Sequence, residues 1–303
     1  MARQAIVPRS ETDPGGFDRR ERAAIKEFNR RIARIGKLYQ GVLDRLDFQA
    51  VTVNAVYYEF RTLPDVLAQM LDQTSVLVDA ILLDGGPNQL WFSQEYVVPS
   101  YEQGTAQSWA NLGAQTQTYQ VAKPSLQSVL LSEPYQRRLG LLRAREFELM
   151  QGLSNTVKSQ MAQTLTQGLA QGIGPREIGR RLSAQTGIEQ RRAQRIARTE
   201  IGQALRQARM DEAQATSAQF DLPMKMMHLS ALSPTTRATH AARHGHLFDV
   251  QDERNWLGSD ANSINCKCSL TEVLVDEKGE PLAPGIVERT RRRGEEWNNG
   301  QSD

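Results

Sequence analysis

The chain has 303 residues and a formal charge of +2, with 37 lysines and arginines against 35 aspartates and glutamates. The length permits two domains, or one large helical unit with an appendage, while so even a charge balance argues against a general nucleic-acid coat. Aromatics are only 6% and glutamine, alanine and arginine are plentiful, a composition of long exposed helices, and no stretch is read as approaching the ~20 apolar residues of a membrane span.

Residues 1–16 are polar, contain Pro8, Pro14, Gly15 and Gly16, and are expected to form a flexible arm. Ile25, Phe28, Ile32, Ile35 and Leu38/Tyr39 then recur at helical spacing and predict a helix from Phe17 to Leu46. Its remaining positions are crowded with base, among them Arg19, Arg30, Arg31, Arg34 and Lys37. A second helix is expected from Leu63 to Leu83, stopped by Asp84-Gly85-Gly86-Pro87. A third, more polar one runs from Gln89 to Tyr119, kinked or split by Pro99. Apolar spacing continues through 134–150 and 155–169 until Gly172-Ile173-Gly174-Pro175 breaks it. A short helix over 175–185, closed by Gly187, and a longer one over 188–217 complete the helical region.

Beyond Phe220 the elements shorten. Lys225–Leu229 reads as a strand. Ser233-Pro234 reads as the start of a helix that Gly245 ends. Residues 266–275 read as a second strand, closed by a turn at 276–279. Residues 285–303 are charged and polar and read as a tail. The fold expected is mainly α: a long helical N-terminal region followed by a small α+β C-terminal module. Its divisions are an arm (1–16), a helical partner-binding region (17–170), a helix pair (171–220), the α+β module (221–284) and the tail (285–303).

In 188–217, Ile188, Ala193, Ile196/Ala197, Ile201, Ala204/Leu205 and Ala208 form a stripe of mostly small residues that a neighbouring helix can approach closely. Arg191, Arg192, Arg195, Arg198, Arg206 and Arg209 occupy the other faces, ordinarily the pattern of a solvated basic surface. Arg198 and Glu200, however, have no opposite charge three or four residues away. Both are therefore available for a geometrically specific pairing elsewhere, in the fold or on a partner subunit. The helix–glycine–helix pattern of 174–199 also has the outline of a helix-turn-helix, so nucleic-acid binding through the basic pair 174–209 stands as an alternative.

The only two cysteines are Cys266 and Cys268. Their i, i+2 spacing makes a poor disulfide, and with no apolar signal core at the N-terminus the chain reads as one made and kept reduced in a cytoplasm. His240 and His244 share a helix face, and with the two thiols they make a conceivable tetrahedral zinc set, structural in kind. The ordinary alternative is a core of small buried thiols and a hydrogen-bonded histidine. A zinc hydrolase is a third functional reading, but Ala241, Ala242 and Arg243 stand where a His-Glu-x-x-His protease carries its base. No phosphate loop, nucleophile elbow or paired acid–base carboxylates are evident.

Three features taken together resemble the phage head morphogenesis family, the Mu F-like minor head proteins. They are Gly174, Ile178 and Leu182; the run Arg192 to Glu200, with its Ile-Ala-Arg-Thr-Glu end; and Arg237, His240 and Gly245 followed by Asn265, Cys266 and Cys268. The resemblance covers roughly the last 130 residues. The family pattern has a tryptophan near the start of the C-terminal module and an aspartate ahead of the arginine; His228 and Ser233 stand there in this chain.

The resemblance implies a non-enzymatic minor protein of a tailed-phage head. Such a protein associates with the portal during procapsid assembly, touches coat or scaffold, and affects DNA packaging, retention or ejection. It implies residence in the virion after assembly in the host cytoplasm, with no membrane partner. Arg195, Arg198, Thr199, Glu200, Arg237 and Asn265 are the candidate docking residues. Arg30, Arg31, Arg34, Arg191 and Arg192 are candidate contacts to portal or, non-specifically, to DNA. No cofactor is assigned with certainty; a structural zinc is the one considered.

Overall fold

The structure, a computed structural model, describes residues 3–52 and 56–300. It is mainly α with small antiparallel sheets, as expected. In chain order the elements are α1 (Asp18–Leu43), β1 (Phe48–Thr52), β2 (Val56–Phe60), α2 (Pro64–Leu82), α3 (Gly86–Gln89), a π-helical turn (Ser93–Val97), α4 (Val98–Gln115), α5 (Gln117–Ala122), α6 (Leu126–Leu130), α7 (Glu133–Ala170), α8 (Pro175–Phe220), β3 (Met224–Leu229), α9 (Ala238–Ala241), β4 (Leu247–Phe248), α10 (Val250–Gly258), β5 (Ser269–Leu274) and α11 (Pro284–Asn299). They form two compact units. One comprises Met1–Arg22, Glu95–Gly140 and Arg198–Asp303; the other comprises Ala23–Gln94 and Leu141–Ala197.

The second unit is helical with one hairpin. The predicted stripe of α1 is buried at Phe28, Ile32, Ile35 and Tyr39. Trp91 and Phe92 close over Phe28 edge-on, at centroid distances of 4.8 and 4.9 Å. The indole nitrogen of Trp91 donates to the Leu82 carbonyl at 3.0 Å, so this aromatic anchors the end of α2. The hairpin β1–β2 pairs Phe48 with Phe60 and was not anticipated: its alternation is short and mixed with polar residues. The break at 172–175 falls where glycine and proline place it, between α7 and α8.

Several expectations need correction. Gly187 does not end a helix: α8 runs unbroken for 46 residues, because one interior glycine costs only ~1 kcal/mol and packing on both sides of it outweighs that. The helix-turn-helix outline of 174–199 therefore lacks its turn, and Ile188, assigned to the apolar stripe, is exposed. The stretch Pro64–Gln89 is, by length and composition alone, apolar enough to cross a membrane, contrary to the sequence reading, and little of it is buried. It carries Asp72 and Asp79, charges that a lipid-facing span avoids; Asp79 is held by Lys158 at 2.8 Å.

In the first unit a three-stranded antiparallel sheet of order β4-β3-β5 is packed on both faces. Met224, Met226, Leu270 and Leu274 point to one face and meet Leu112, Tyr119, Met210 and Leu257. Met227, Leu229 and Val273 point to the other and meet Ala5 and Val287. The described residues of the arm (3–16) and of the tail (285–300) are thus built into the fold, against expectation. Ile6 donates to the Asn111 side chain at 2.7 Å, and α11 buries Val287 and Thr290. Few apolar residues suffice, because a sheet face needs only a handful of contacts to be covered.

The polarity of α4 also finds its reason here. The side chains of Asn111 and Gln115 donate to the Glu272 carbonyl at 2.8 and 2.9 Å, and Gln115 accepts from the Leu274 amide at 3.1 Å. Amide side chains thereby satisfy the outer edge of β5, which would otherwise be open to pairing. The small-residue stripe of α8 admits α4 closely: a Cβ added to Gly104 would lie 2.4 Å from the Leu205 carbonyl oxygen.

Candidate functional site

In the first unit Arg198, Thr199 and Glu200 of the Arg-Thr-Glu run lie in the same body as Asn265, Cys266 and Cys268. The Thr199 hydroxyl accepts from the Asn265 amide at 3.2 Å. Two turns further along α8, the Arg206 guanidinium donates to the carbonyls of Cys266 and Cys268 at 3.1 and 3.0 Å. Arg237 gathers the preceding loop from the other side, donating to the carbonyls of Ala261, Asn262 and Ile264 at 2.8–3.2 Å. The loop needs this grip: Asp260, Ala261 and Asn265 all hold left-handed backbone angles, uncommon for residues with a side chain.

Arg198 finds its carboxylate within the chain, at Glu21 (3.3 Å). Glu200 is buried. The Arg-Thr-Glu segment therefore contributes to the fold of its own unit. Burial pushes the Glu21 carboxyl up, against the opposing pull of Lys267 and Arg198. These residues, with Arg237, His240 and Asn265, line a polar cavity of about 450 Å³.

Arg206 and Arg209, read as part of a solvated basic face, are instead buried. Arg209 forks onto Glu272 at 2.7 and 3.2 Å and donates to the Thr271 hydroxyl at 2.7 Å. Glu272 also accepts from Ser108 at 2.5 Å and Asn111 at 2.7 Å. Burial raises the Glu272 carboxyl, but the adjoining Arg209 charge and these hydrogen bonds outweigh it and hold the group below its ordinary value. An acidic residue in the inward register of the predicted strand was the available signal for this pair.

The histidine and cysteine cluster differs from the set expected. Helix α9 is only four residues long, and 241–246 turn away from it, so His240 and His244 do not share a helix face. Ser233 belongs to a turn closed by Thr236, not to a helix start. The imidazole Nδ1 of His240 lies 3.3 Å from the Cys268 sulfur and 3.5 Å from the Cys266 sulfur. The residue brought to it is His228 of β3: one donor atom each from His228, His240 and Cys268 lie within 4.8 Å of one another, all buried.

His228 is oriented by Glu253, whose Oε1 is 2.7 Å from Nδ1, and Glu253 in turn binds Arg243. Arg243 is sandwiched between Phe248 and Trp256, 3.5 and 4.2 Å from the ring centres. His244 stands outside the cluster. Burial pushes its imidazole down to about 4.

Of the candidate contact residues in the second unit, Arg31 is drawn into the fold. It binds Glu27 at 2.7 Å, Asp84 at 3.1 Å and the Ile81 carbonyl, and stacks on Trp91. Arg192 binds Glu189 at 2.7 Å. Arg30 binds Glu27 yet remains largely exposed, and Arg34, Arg191 and Arg195 are exposed as well.

The fold and this cluster define a mainly helical protein whose long helix clasps a small, sheet-centred Cys/His segment. Residues 159–271 match the family described as phage Mu protein F like protein, which places this segment in the Mu F-like head morphogenesis family and bears out the resemblance. Part of the chain is 27% identical, over 131 residues, to an NAD(+)–arginine ADP-ribosyltransferase, EFV, of Enterococcus faecalis (strain ATCC 700802 / V583). The likeness covers 39% of this chain and 27% of that protein, so the chain spans about a quarter of its relative's length. No solved structure matches the chain.

Proposed function

We propose that this protein is a non-enzymatic minor head protein of a tailed phage. It binds the portal during procapsid assembly and influences DNA packaging, retention or ejection. The observation that carries the reading is the Mu F-like match over 159–271, which spans both the Arg-Thr-Glu helix and the Cys/His cluster. The Arg, Thr and Asn residues of that motif hold backbone carbonyls, an amide and a carboxylate of the same chain, which supports a scaffold role for the segment.

Partner contact is supported by the second unit. Helix α2 and the residue ahead of it expose Leu63 (69%), Val76 (68%) and Leu77 (48%), the last two adjacent apolar side chains that a partner can cover. Contact with DNA, where it occurs, runs through exposed Arg30, Arg34, Arg191 and Arg195. It is non-specific and falls steeply with salt.

The test is co-expression with the portal gene of the same phage, followed by size-exclusion chromatography at 0.5 M salt, well above the range in which surface charge alone holds. Co-elution with the portal ring is expected. Separate elution at every salt concentration refutes portal binding.

A further inference from the structure

We propose that His228, His240, Cys266 and Cys268 form a tetrahedral site for one zinc ion, joining β3, α9 and the segment ahead of β5. The histidine partner is His228, in place of the His244 that the sequence spacing suggested, and the role is structural.

The first ground is distance. With Zn–S near 2.3 Å and Zn–N near 2.0 Å, adjacent donors of a tetrahedron are separated by about 3.5 Å. His240 Nδ1 lies 3.3 and 3.5 Å from the two sulfurs, the edge lengths such a site requires, and the His228 donor is within 4.8 Å of those of His240 and Cys268.

The second ground is the state of the His228 ring. Its Nδ1 faces the Glu253 carboxylate at 2.7 Å, which fixes the proton on that nitrogen. Nε2, which carries the lone pair in that tautomer of the neutral ring, is buried and has no hydrogen-bond partner among the described residues. A carboxylate behind a histidine whose other nitrogen is unengaged is the arrangement that orients metal-binding imidazoles. Arg243, held between two rings, fixes the carboxylate in turn.

The third ground is chemical. Two thiols and two imidazoles in a tetrahedron select zinc among common divalent ions. Four protein donors complete the tetrahedron, so no coordination position is left as an open catalytic one, although His240 and both cysteines border the cavity. Binding releases the two thiol protons to solvent and leaves a neutral site, as two thiolates balance the ion. The zinc would restrain the loop whose left-handed residues Arg206 and Arg237 already hold.

The experiment uses the full chain purified from zinc-supplemented cells, with metal content measured by mass spectrometry and cobalt exchanged for zinc. About one zinc per chain is expected, and the cobalt form should show tetrahedral d–d bands with thiolate charge-transfer absorption. His228→Gln and Cys268→Ser should lose at least about tenfold in zinc affinity, while His244→Gln keeps full occupancy. The wild-type count needs no variant to fold. Folded protein with less than about a tenth of a zinc per chain overturns the proposal. So does a cobalt form without thiolate bands, or a His244→Gln variant that loses the metal while His228→Gln keeps it. An intramolecular Cys266–Cys268 disulfide in protein purified under reducing conditions would overturn it as well.

Discussion

The buried pair of Arg209 and Glu272 gives the sharpest stability prediction. Glu272 is fully buried and Arg209 nearly so, and the carboxylate supplies the only negative charge among the groups the structure shows bound to the guanidinium. Glu272→Gln keeps the shape but removes that charge. Thr271 at 2.7 Å and Gln107 at 3.3 Å then remain as neutral acceptors. An uncompensated buried charge of this kind costs ~3–5 kcal/mol. Arg209→Met leaves the carboxylate with the Ser108 and Asn111 donors and an escape by protonation, so its cost is smaller, ~2–4 kcal/mol.

The pH profile carries the same signature. The Glu272 carboxyl is depressed in the folded protein, so its contribution is fully present above the unfolded value and is lost as pH falls through the folded one. Arg209→Met should abolish that acid-side loss. The double variant Arg209→Met/Glu272→Leu removes both charges and should cost at least ~2 kcal/mol less than the sum of the single changes. Urea unfolding at pH 7 and pH 4, followed through Trp109 and Trp256, measures all of these; both indoles pack against the core of the same unit. Single-variant costs below ~1 kcal/mol, or strict additivity in the double variant, would show that the two charges do not depend on each other.

Other outcomes follow from the same geometry. His244, held down at about 4 by burial, binds fewer protons when folded than when unfolded between pH 4 and 6.5. Stability therefore falls as pH drops through that window, by up to ~3 kcal/mol, and His244→Gln should flatten that part of the difference in an acid titration of urea midpoints. Gly104→Ala places a methyl 2.4 Å from the Leu205 carbonyl oxygen and should lower thermal stability by ~1–3 kcal/mol, read by calorimetry. Gly113→Ala on the same helix meets open space and should be neutral or stabilising. Val76→Glu/Leu77→Glu on the exposed face of α2 should change stability by less than ~0.5 kcal/mol yet weaken portal co-elution at least tenfold.

Much of this was legible in the chain itself. The α1 stripe from Phe28 to Tyr39, the stop at Gly172–Pro175 and the strand read at 225–229 follow from local spacing and turn chemistry, which act over a few residues. Order along the chain also sufficed for the family, since Arg192–Glu200 and Asn265–Cys268 form a composite even when neither half is distinctive. What escaped depends on distant partners. Arg209 looks like surface charge until Glu272, 63 residues away, is brought to it, and His228 looks like part of a strand until Glu253 orients its ring. Gly187 looks like a helix stop because propensity is local, whereas the packing that carries α8 through it is not. The arm and the tail read as appendages because composition averages over residues, while a single Ala5 or Val287 is enough to cover part of a sheet face.

The proposed portal binding makes this chain's incorporation into the head depend on the portal. The most direct measurement is quantitative mass spectrometry of procapsids assembled with and without the portal gene, scoring this protein against the coat. A fixed, low copy number is expected in portal-containing procapsids, with near-complete loss from portal-free ones. Equal incorporation into both, or absence from both, would contradict it.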